Sequence, residues 1–454
     1  MADDNGKVNT PLSFDEPDDS FTPRAAIAEA KRCLNCKNPV CRTGCPIEHE
    51  IPQFIAALAK GNVGEASTII ARRSNLPAVC GRVCPHEKQC EGACILAKKG
   101  NGIRIGKLEQ FIADFDSEME LTAHTPPSKF VGKVAVIGSG PAGLTVAGDL
   151  AKASYEVTVF ESQAEPGGVL VYGIPDFRLK KDVVRREIRR IERLGVKFNT
   201  DILVGPDITV DEIFAEGYDA IFIGTGTALP RTLDVPGRDL PGVLQASYFL
   251  QMVALARADN VDRREVPVQL GDRVFVIGAG NVGMDAARTA IRLGARASVV
   301  YHRTEKEITA LLSEYQQARE EGVEFIWLAS TKQFLGQNKL TGLEYEVMEI
   351  DNDKEIRGTG RLETINADKV ILAIGQRPAA RIVSTTTGIQ VNEKGYVITK
   401  DRPYGMTTRR GVFAGGDVVH EPATVVLAMK EAKKVAQGIA LYIEAKKLLE
   451  ECGE

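Results

Sequence analysis

Eight of the nine cysteines in this 454-residue chain fall between Cys33 and Cys94. The first four, in CLNCKNPVCRTGC, read C-x2-C-x4-C-x3-C-P from Cys33 to Pro46. The second four, in CGRVCPHEKQCEGAC, read C-x3-C-P-x4-C-x3-C from Cys80 to Cys94. No other feature constrains the fold so tightly, because a segment this rich in thiols has to close around whatever they hold. Three chemistries compete. Disulfides are disfavoured: MADDNGKVNTPLSFDEPDD lacks the basic and apolar regions of a secretory signal, no apolar run approaches the ~18 residues of a membrane span, and a cytoplasmic chain seldom keeps structural disulfides. Structural zinc also takes four thiolates, but prefers two separated C-x2-C-type pairs. Iron–sulfur clusters fit best, since close spacing lets successive thiolates reach different irons of one cube. In two-cluster ferredoxins the cysteine before proline ligates the other cluster. Cys452 stands apart and is read as incidental.

Around the thiols the apolar residues fall at helical spacing. IPQFIAALAKGNVGEASTIIARR reads as two helices joined around Gly61 to Gly64, and IGKLEQFIADF as another. The expected organisation is a tail over 1–22, a small helical domain over 23–120 and a polar, proline-containing linker over 121–132.

From Lys133, KVAVIGSGPAGLTVAGDLAKASYEVTVFES gives strand, G-x-G-x-x-G (Gly138, Gly140, Gly143), helix, strand, and a terminal acid, Glu161. Glycines are needed there for the turn, for close approach to a pyrophosphate and for helix–strand packing. Pro141 and Ala142 open the helix, whose N-terminus favours phosphate. From Asp272 the pattern recurs with Gly278, Gly280, Asn281, Val282 and Gly283, but its second strand ends in His302 and Arg303 instead of an acid. A carboxylate suits a ribose diol and a guanidinium suits a 2′-phosphate, so the first site is read as FAD or NAD and the second as NADP(H). The bland reading of Arg303 is a solvated surface charge.

Three further glycine motifs follow strand-like runs: AIFIGTG to Gly226, KVILAIGQRP, and GVFAGGDVV with Gly416 and Asp417. The last places a carboxylate near a flavin ribityl chain, and the helix starting at Thr424 and Val425 near its ring. Gly168 in PGG completes the candidate flavin contacts. The expected fold is α/β: two Rossmann-like dinucleotide-binding domains, the NAD(P) domain (237–371) inserted in the FAD domain (133–236 and 372–454), preceded by the helical iron–sulfur domain. The basic run RLKKDVVRREIRRIERL reads as an amphipathic helix with a solvated face, Val183, Val184, Ile188, Ile191 and Leu194 turned inward. A net charge of −4 gives no argument for nucleic acid or an anionic membrane.

Together, LPAVCGRVCPHEKQCEGAC, IGKLEQFIADF, GSGPAGL, PGGVLVYGIPDFRL, GTGTALPRTL, GAGNVGMDAARTAIRLGA and FAGGD resemble the glutamate synthase small-subunit family. That family includes the N-terminal half of dihydropyrimidine dehydrogenase and the large subunit of the electron-bifurcating NADH-dependent ferredoxin:NADP oxidoreductase, to which GGVLVYGIPDFRL is most similar. The resemblance implies two interleaved [4Fe–4S] clusters. One would use Cys33, Cys36, Cys41 and Cys94; the other would use Cys45, Cys84, Cys90 and Glu109, leaving Cys80 spare. The bland reading of Glu109 is a surface helix residue. The family reads YRRT-x3-MPA where this chain reads YHRTEKEITA, which opens NAD(H) as well as NADP(H).

No Ser–His–acid or paired-carboxylate set appears, so no catalytic side chain is named. Hydride transfer between nicotinamide and flavin needs none. The function expected from the resemblance is a cytoplasmic nicotinamide-binding flavin/iron–sulfur subunit, passing electrons between NAD(P)H, FAD and two [4Fe–4S] clusters in a bifurcating ferredoxin/NAD(P) transhydrogenase. The alternative is the small subunit of NADPH-dependent glutamate synthase. The implied partner is a further redox subunit, either a ferredoxin-reductase-like flavoprotein or a glutamate synthase large subunit, with ferredoxin as a further candidate.

Overall fold

A computed structural model describes residues 12–122, 125–351, 355–378, 382 and 385–452. The chain divides into two compact units. One comprises residues 17–171, 178–229 and 377–454; the other comprises 1–16, 172–177 and 230–376.

The first unit begins with the helices that carry the thiols. Pro23–Lys31 starts on a Thr22 cap and Val63–Ala71 on an Asn62 cap; Ile51–Ala59 and Pro77–Val83 start on proline, which fits a first turn because its missing N–H has no helical partner anyway. Ile105–Met119 buries Leu108, Glu109, Phe111 and Ile112. A seven-stranded sheet follows, in the order Thr399–Asp401, Tyr404–Thr407, Val412–Ala414, Ala220–Ile223, Lys133–Ile137, Glu156–Phe160, Lys197–Asn199. From Val412–Ala414 onward the pairing is parallel, and its strands, apart from the exposed edge strand Lys197–Asn199, are nearly all buried Val, Ile, Phe and Ala, as strands covered on both faces must be. The helix Pro141–Lys152 follows the first strand, and the long helix Val425–Glu451 closes the unit. The basic helix Lys181–Glu192 buries Val183, Val184, Ile188 and Ile191, and also Glu187, which accepts a hydrogen bond from Ala78 N at 2.6 Å.

The second unit holds a five-stranded parallel sheet ordered Val243–Gln245, Lys369–Leu372, Arg273–Ile277, Arg296–Val300, Glu324–Ile326. An antiparallel meander, Ala329–Gly336, Leu340–Ile350 and Ile356–Asn366, is appended to it. The segment 12–16 belongs here: Phe14 packs on its core with the Arg257 guanidinium over the ring, and Arg292 Nε donates to Ser13 O at 2.9 Å. Among the described residues no helix is long and apolar enough to cross a membrane.

Candidate functional site

The fold gathers the eight N-terminal thiols into two groups. Cys33, Cys36, Cys41 and Cys94 line one cavity, walled by Leu34, Val40, Ile51, Ile55 and Ile95. Cys33 and Cys36 follow the first helix, Cys41 lies in the short helix Val40–Gly44, and Cys94 precedes the turn Ile95–Lys99. All four are half-buried. Burial lifts the Cys33 thiol above its ordinary pKa and pushes Cys41 up to about 11, with the neighbouring thiols of the same group adding to both shifts.

The second group lies deeper. Cys45, Cys80 and Cys90 are buried. Cys45 is pushed up to about 11, chiefly by burial, with Glu109 and Cys80 also raising it. Cys90 is raised by burial, Glu109 and Cys45. Cys84 is raised first by its hydrogen bond with Cys80, then by burial, and further by Glu109 and Cys90. Glu109 is only 5% exposed, and its Oε1 is buried without a hydrogen-bond partner. Beside it His49, 2% exposed, has both ring nitrogens without a partner, and Nε2 stands 3.3 Å from Glu109 Oε1.

A buried carboxylate among thiols is unfavourable for the protein alone, since each charge resists desolvation and repels the others. Bound irons reverse that logic, because thiolate and carboxylate then face positive charge. The donors therefore fit iron–sulfur clusters. Among the described residues no three His, Cys, Asp or Glu side chains form a single-ion site. One cube, by contrast, spreads its ligands over several irons.

The first glycine loop divides its labour as the chemistry requires. At Gly138, φ +93°, a Cβ would lie 2.8 Å from Gly224 O. At Gly143 it would lie 1.9 Å from Gly138 O, so helix and turn could not close. At Gly140 it would meet nothing within 4 Å, leaving open space at the helix N-terminus where Pro141 and Ala142 begin. Glu161, buried at the end of its strand, is tied to this loop: its Oε2 accepts from Ser139 N at 2.9 Å and Ser139 Oγ at 2.5 Å, and Oε1 from Gln163 N at 2.8 Å. A Cβ on Gly168 would lie 3.0 Å from Gly140 Cα, so the PGG turn packs on the loop. Gly416 approaches the same helix, 2.9 Å from Ala142 Cβ by the same measure. The neighbouring Asp417 carboxyl is raised by burial. Thr424 caps the last helix at Val425, its side chain accepting from Leu427 N at 3.4 Å. Gly226 adopts φ +64° in open space.

The second loop repeats the geometry. Cβ atoms on Gly278 and Gly283 would lie 2.6 Å from Ala373 O and 2.2 Å from Gly278 O, whereas at Gly280 the nearest atom is Thr309 Oγ1 at 3.4 Å. Asn281 opens the helix Asn281–Arg292 and accepts from Leu311 N at 2.8 Å, and Val282 is exposed. His302 and Arg303 are both exposed. Arg303 Nε donates to His302 Nε2 at 3.3 Å, and Arg303 Nη1 lies 3.4 Å from Glu307 Oε1. Burial, then Arg303, lowers the His302 pKa. Glu307 is itself held by the Thr304 amide and hydroxyl at 3.2 and 2.9 Å. An exposed pair like Arg303–Glu307 contributes about 0–1 kcal/mol.

Sequence reading missed His49, Ser139 and Glu307. A lone histidine, serine or glutamate has no spacing signal; each acts here only through the neighbour that the fold supplies. It also missed a contact of Cys80, whose Sγ lies 3.5 Å from Met429 Sδ on the last helix.

The comparisons with known proteins agree with this chemistry. Residues 11–121 match the family described as dihydropyrimidine dehydrogenase domain II, 4Fe-4S cluster. Residues 132–432 match the pyridine nucleotide-disulphide oxidoreductase family. The small chain of glutamate synthase [NADPH] from Halomonas elongata is 35% identical, over 95% of this chain and 93% of its own. PreT, a subunit of NAD-dependent dihydropyrimidine dehydrogenase from Escherichia coli K12, is 36% identical over 95% and 97%. Mycobacterium tuberculosis FprA, solved in complex with NADPH, aligns with a TM-score of 0.60 at 20% identity, covering 71% of this chain and 87% of its own, which shows a shared fold. Fold and domains define an FAD- and iron–sulfur-dependent NAD(P)H oxidoreductase. Within that class, the chain belongs to the glutamate synthase small-subunit family.

Proposed function

We propose that the chain is the electron-input subunit of a larger oxidoreductase, taking reducing equivalents from NAD(P)H and delivering them to a separate catalytic subunit, the reading given above as the small subunit of NADPH-dependent glutamate synthase. The observation that carries this is the full-length similarity to such small chains, joined to two thiol groups lying in the same compact unit as the flavin loop. The names of the relatives favour this reading over the bifurcating transhydrogenase that the GGVLVYGIPDFRL wording pointed to.

When bound, the flavin accepts hydride and the clusters take electrons one at a time. The chain's own residues do the placing. The amides around Gly138, Gly140 and Gly143 would hold a pyrophosphate, Glu161 would accept from a ribose diol, and Gly416, Asp417 and the Thr424–Val425 helix start would help to hold the flavin. Cys33, Cys36, Cys41 and Cys94 would hold one [4Fe–4S] cluster; Cys45, Cys84, Cys90 and Glu109 would hold a second. Around the second loop, Arg303 is the group that would attract a 2′-phosphate and Glu307 the group that would repel it.

Expression with candidate partner subunits tests the function. Formation of glutamate from glutamine, 2-oxoglutarate and NADPH only when a large subunit is present supports the reading. Reduction of ferredoxin by NADH without any such partner subunit contradicts it.

A further inference from the structure

The basic helix Lys181–Glu192 does not turn all of its charge to open water. Arg186, Arg189, Arg190 and the capping Arg193, spaced i, i+3, i+4 and i+7, share one face and line a cavity of about 300 Å3. Arg189 and Arg193 are exposed, whereas Arg186 and Arg190 are half-buried. The helices that carry Glu109 and Cys80 contribute Asp116, Ser117 and two alanines, Ala113 and Ala78. Those alanines are the only apolar side chains among the lining residues described.

Four guanidinium groups on one face repel one another unless anions answer them. The protein answers only in part. Asp114 pairs with Arg186 at 2.8 Å but is shared with Arg82, also at 2.8 Å, and Arg186 Nε is buried without a hydrogen-bond partner. Asp116 accepts from Ser67 Oγ at 2.8 Å and Thr122 Oγ1 at 2.6 Å, and stands 3.9 Å from Arg190. Glu187 accepts from Ala78 N at 2.6 Å and also stands 3.9 Å from Arg190. Burial pushes its carboxyl up to about 7, so near neutral pH it is charged only in part. The Glu120–Arg193 pair, at 3.1 Å, is exposed and weak. Among the described residues Arg189 makes no ion pair. A buried N–H of a charged group left unanswered costs free energy that a ligand oxygen recovers.

We infer that this cavity binds a small, non-aromatic anion with two negatively charged groups, of the diphosphate or dicarboxylate class. Guanidinium forks match the paired oxygens of either group. The row from Arg186 to Arg193 covers about 10 Å of helix, room for two such groups and more than one needs. The volume lies at the small end of ligand sites, and a lining almost wholly polar offers a nucleobase nothing to stack on. None of the lining residues belongs to a glycine loop or a thiol group, so the inference does not depend on what those hold. A bound anion ties the basic helix to the helices of Glu109 and Cys80, and so raises the melting midpoint by mass action.

The test uses the full-length holoprotein at fixed ionic strength, which holds screening constant, with pyrophosphate, succinate and chloride as probes. Calorimetric titration and thermal melting follow binding. Pyrophosphate or succinate should bind saturably and raise the melting midpoint. Arg189→Gln combined with Arg193→Gln should weaken that binding about tenfold or more and remove the rise. Arg189→Lys with Arg193→Lys keeps the charge without the fork and should fall between. Arg185→Gln is the control: Arg185 is not part of the lining and pairs with Glu165 at 2.6 Å, so this variant should bind like the parent. Flavin reduction by NAD(P)H should be the same in all of them. Preference for pyrophosphate assigns the site to phosphate compounds, and preference for succinate assigns it to carboxylates. Three results overturn the site: no saturable binding of either probe, an equal response to chloride, or an affinity that the double Gln variant leaves unchanged, as for pyrophosphate held by a glycine loop.

Discussion

The two thiol groups share a segment of chain but not an environment. Cys33, Cys36, Cys41 and Cys94 are half-buried and line one cavity with the exposed Leu34, Val40 and Ile95. Cys45, Cys80 and Cys90 are buried, with Glu109 and His49 enclosed beside them and Met429 of the long C-terminal helix against Cys80. One group faces outward and the other inward, toward the element that starts beside the flavin loop. Spacing along the chain therefore does not set how deeply a thiol is enclosed. Cys41 and Cys45 are one helical turn apart, yet the first joins the solvent-facing group and the second the enclosed one.

The contrast can be broken most forcefully by removing one thiol from each side. Cys90→Ser should lose about half of the iron and also lower the thermal midpoint strongly, because an unfilled buried polar pocket remains. Cys36→Ser should lose a similar amount of iron with a much smaller change in melting. Iron and sulfide analysis with thermal melts decides it, and equal destabilisation by the two would erase the distinction.

Exposure gives a second, smaller contrast. Under a ferrous chelator in air, iron should leave in two phases of roughly equal size, the fast one abolished by Cys36→Ser. A single phase would mean the two environments are equally open.

Glu109 sharpens the inner side. Glu109→Ala should change the electron paramagnetic resonance signature of one reduced cluster and leave the other untouched. An unchanged spectrum removes the carboxylate from the ligand set.

The smallest effect concerns Glu187, whose hydrogen bond to Ala78 N holds the helix Pro77–Val83 that carries Cys80. Burial pushes its pKa up to about 7 from an ordinary 4.5. A carboxyl raised on folding binds more protons in the native state, so stability is retained below about pH 4.5 and declines as pH rises toward 7. Glu187→Gln keeps an acceptor for the amide without the charge. It should raise the melting midpoint by about 2–4 °C at pH 8, as expected for ~1 kcal/mol in a domain of this size, and by nothing at pH 4. A change of equal size at both pH values would show that charge is not the cause.

Much of this was legible in the chain because the signals are local. Gly138 takes the left-handed φ of its own turn and Gly143 lies against Gly138 O, needs set within a few residues, and most of the parallel strands announce themselves as unbroken apolar runs. The partition of the cysteines was not local: Cys94 lies far in sequence from Cys33, and only the resemblance paired them. Glu109 reads as a solvent-facing helix position until Ile105–Met119 packs, and His49 gains meaning only from that carboxylate. The antiparallel meander from Ala329 to Asn366 mixes exposed and buried positions irregularly on its first two strands and buries none on the third, which blurs the alternation that would have revealed it.

Anaerobically purified protein should contain FAD with about eight iron and eight acid-labile sulfide per chain. Adding NAD(P)H should bleach the flavin band and then yield the paramagnetic signal of reduced clusters. Zinc in place of iron, or flavin bleaching with iron present and no cluster signal under any NAD(P)H excess, would contradict it.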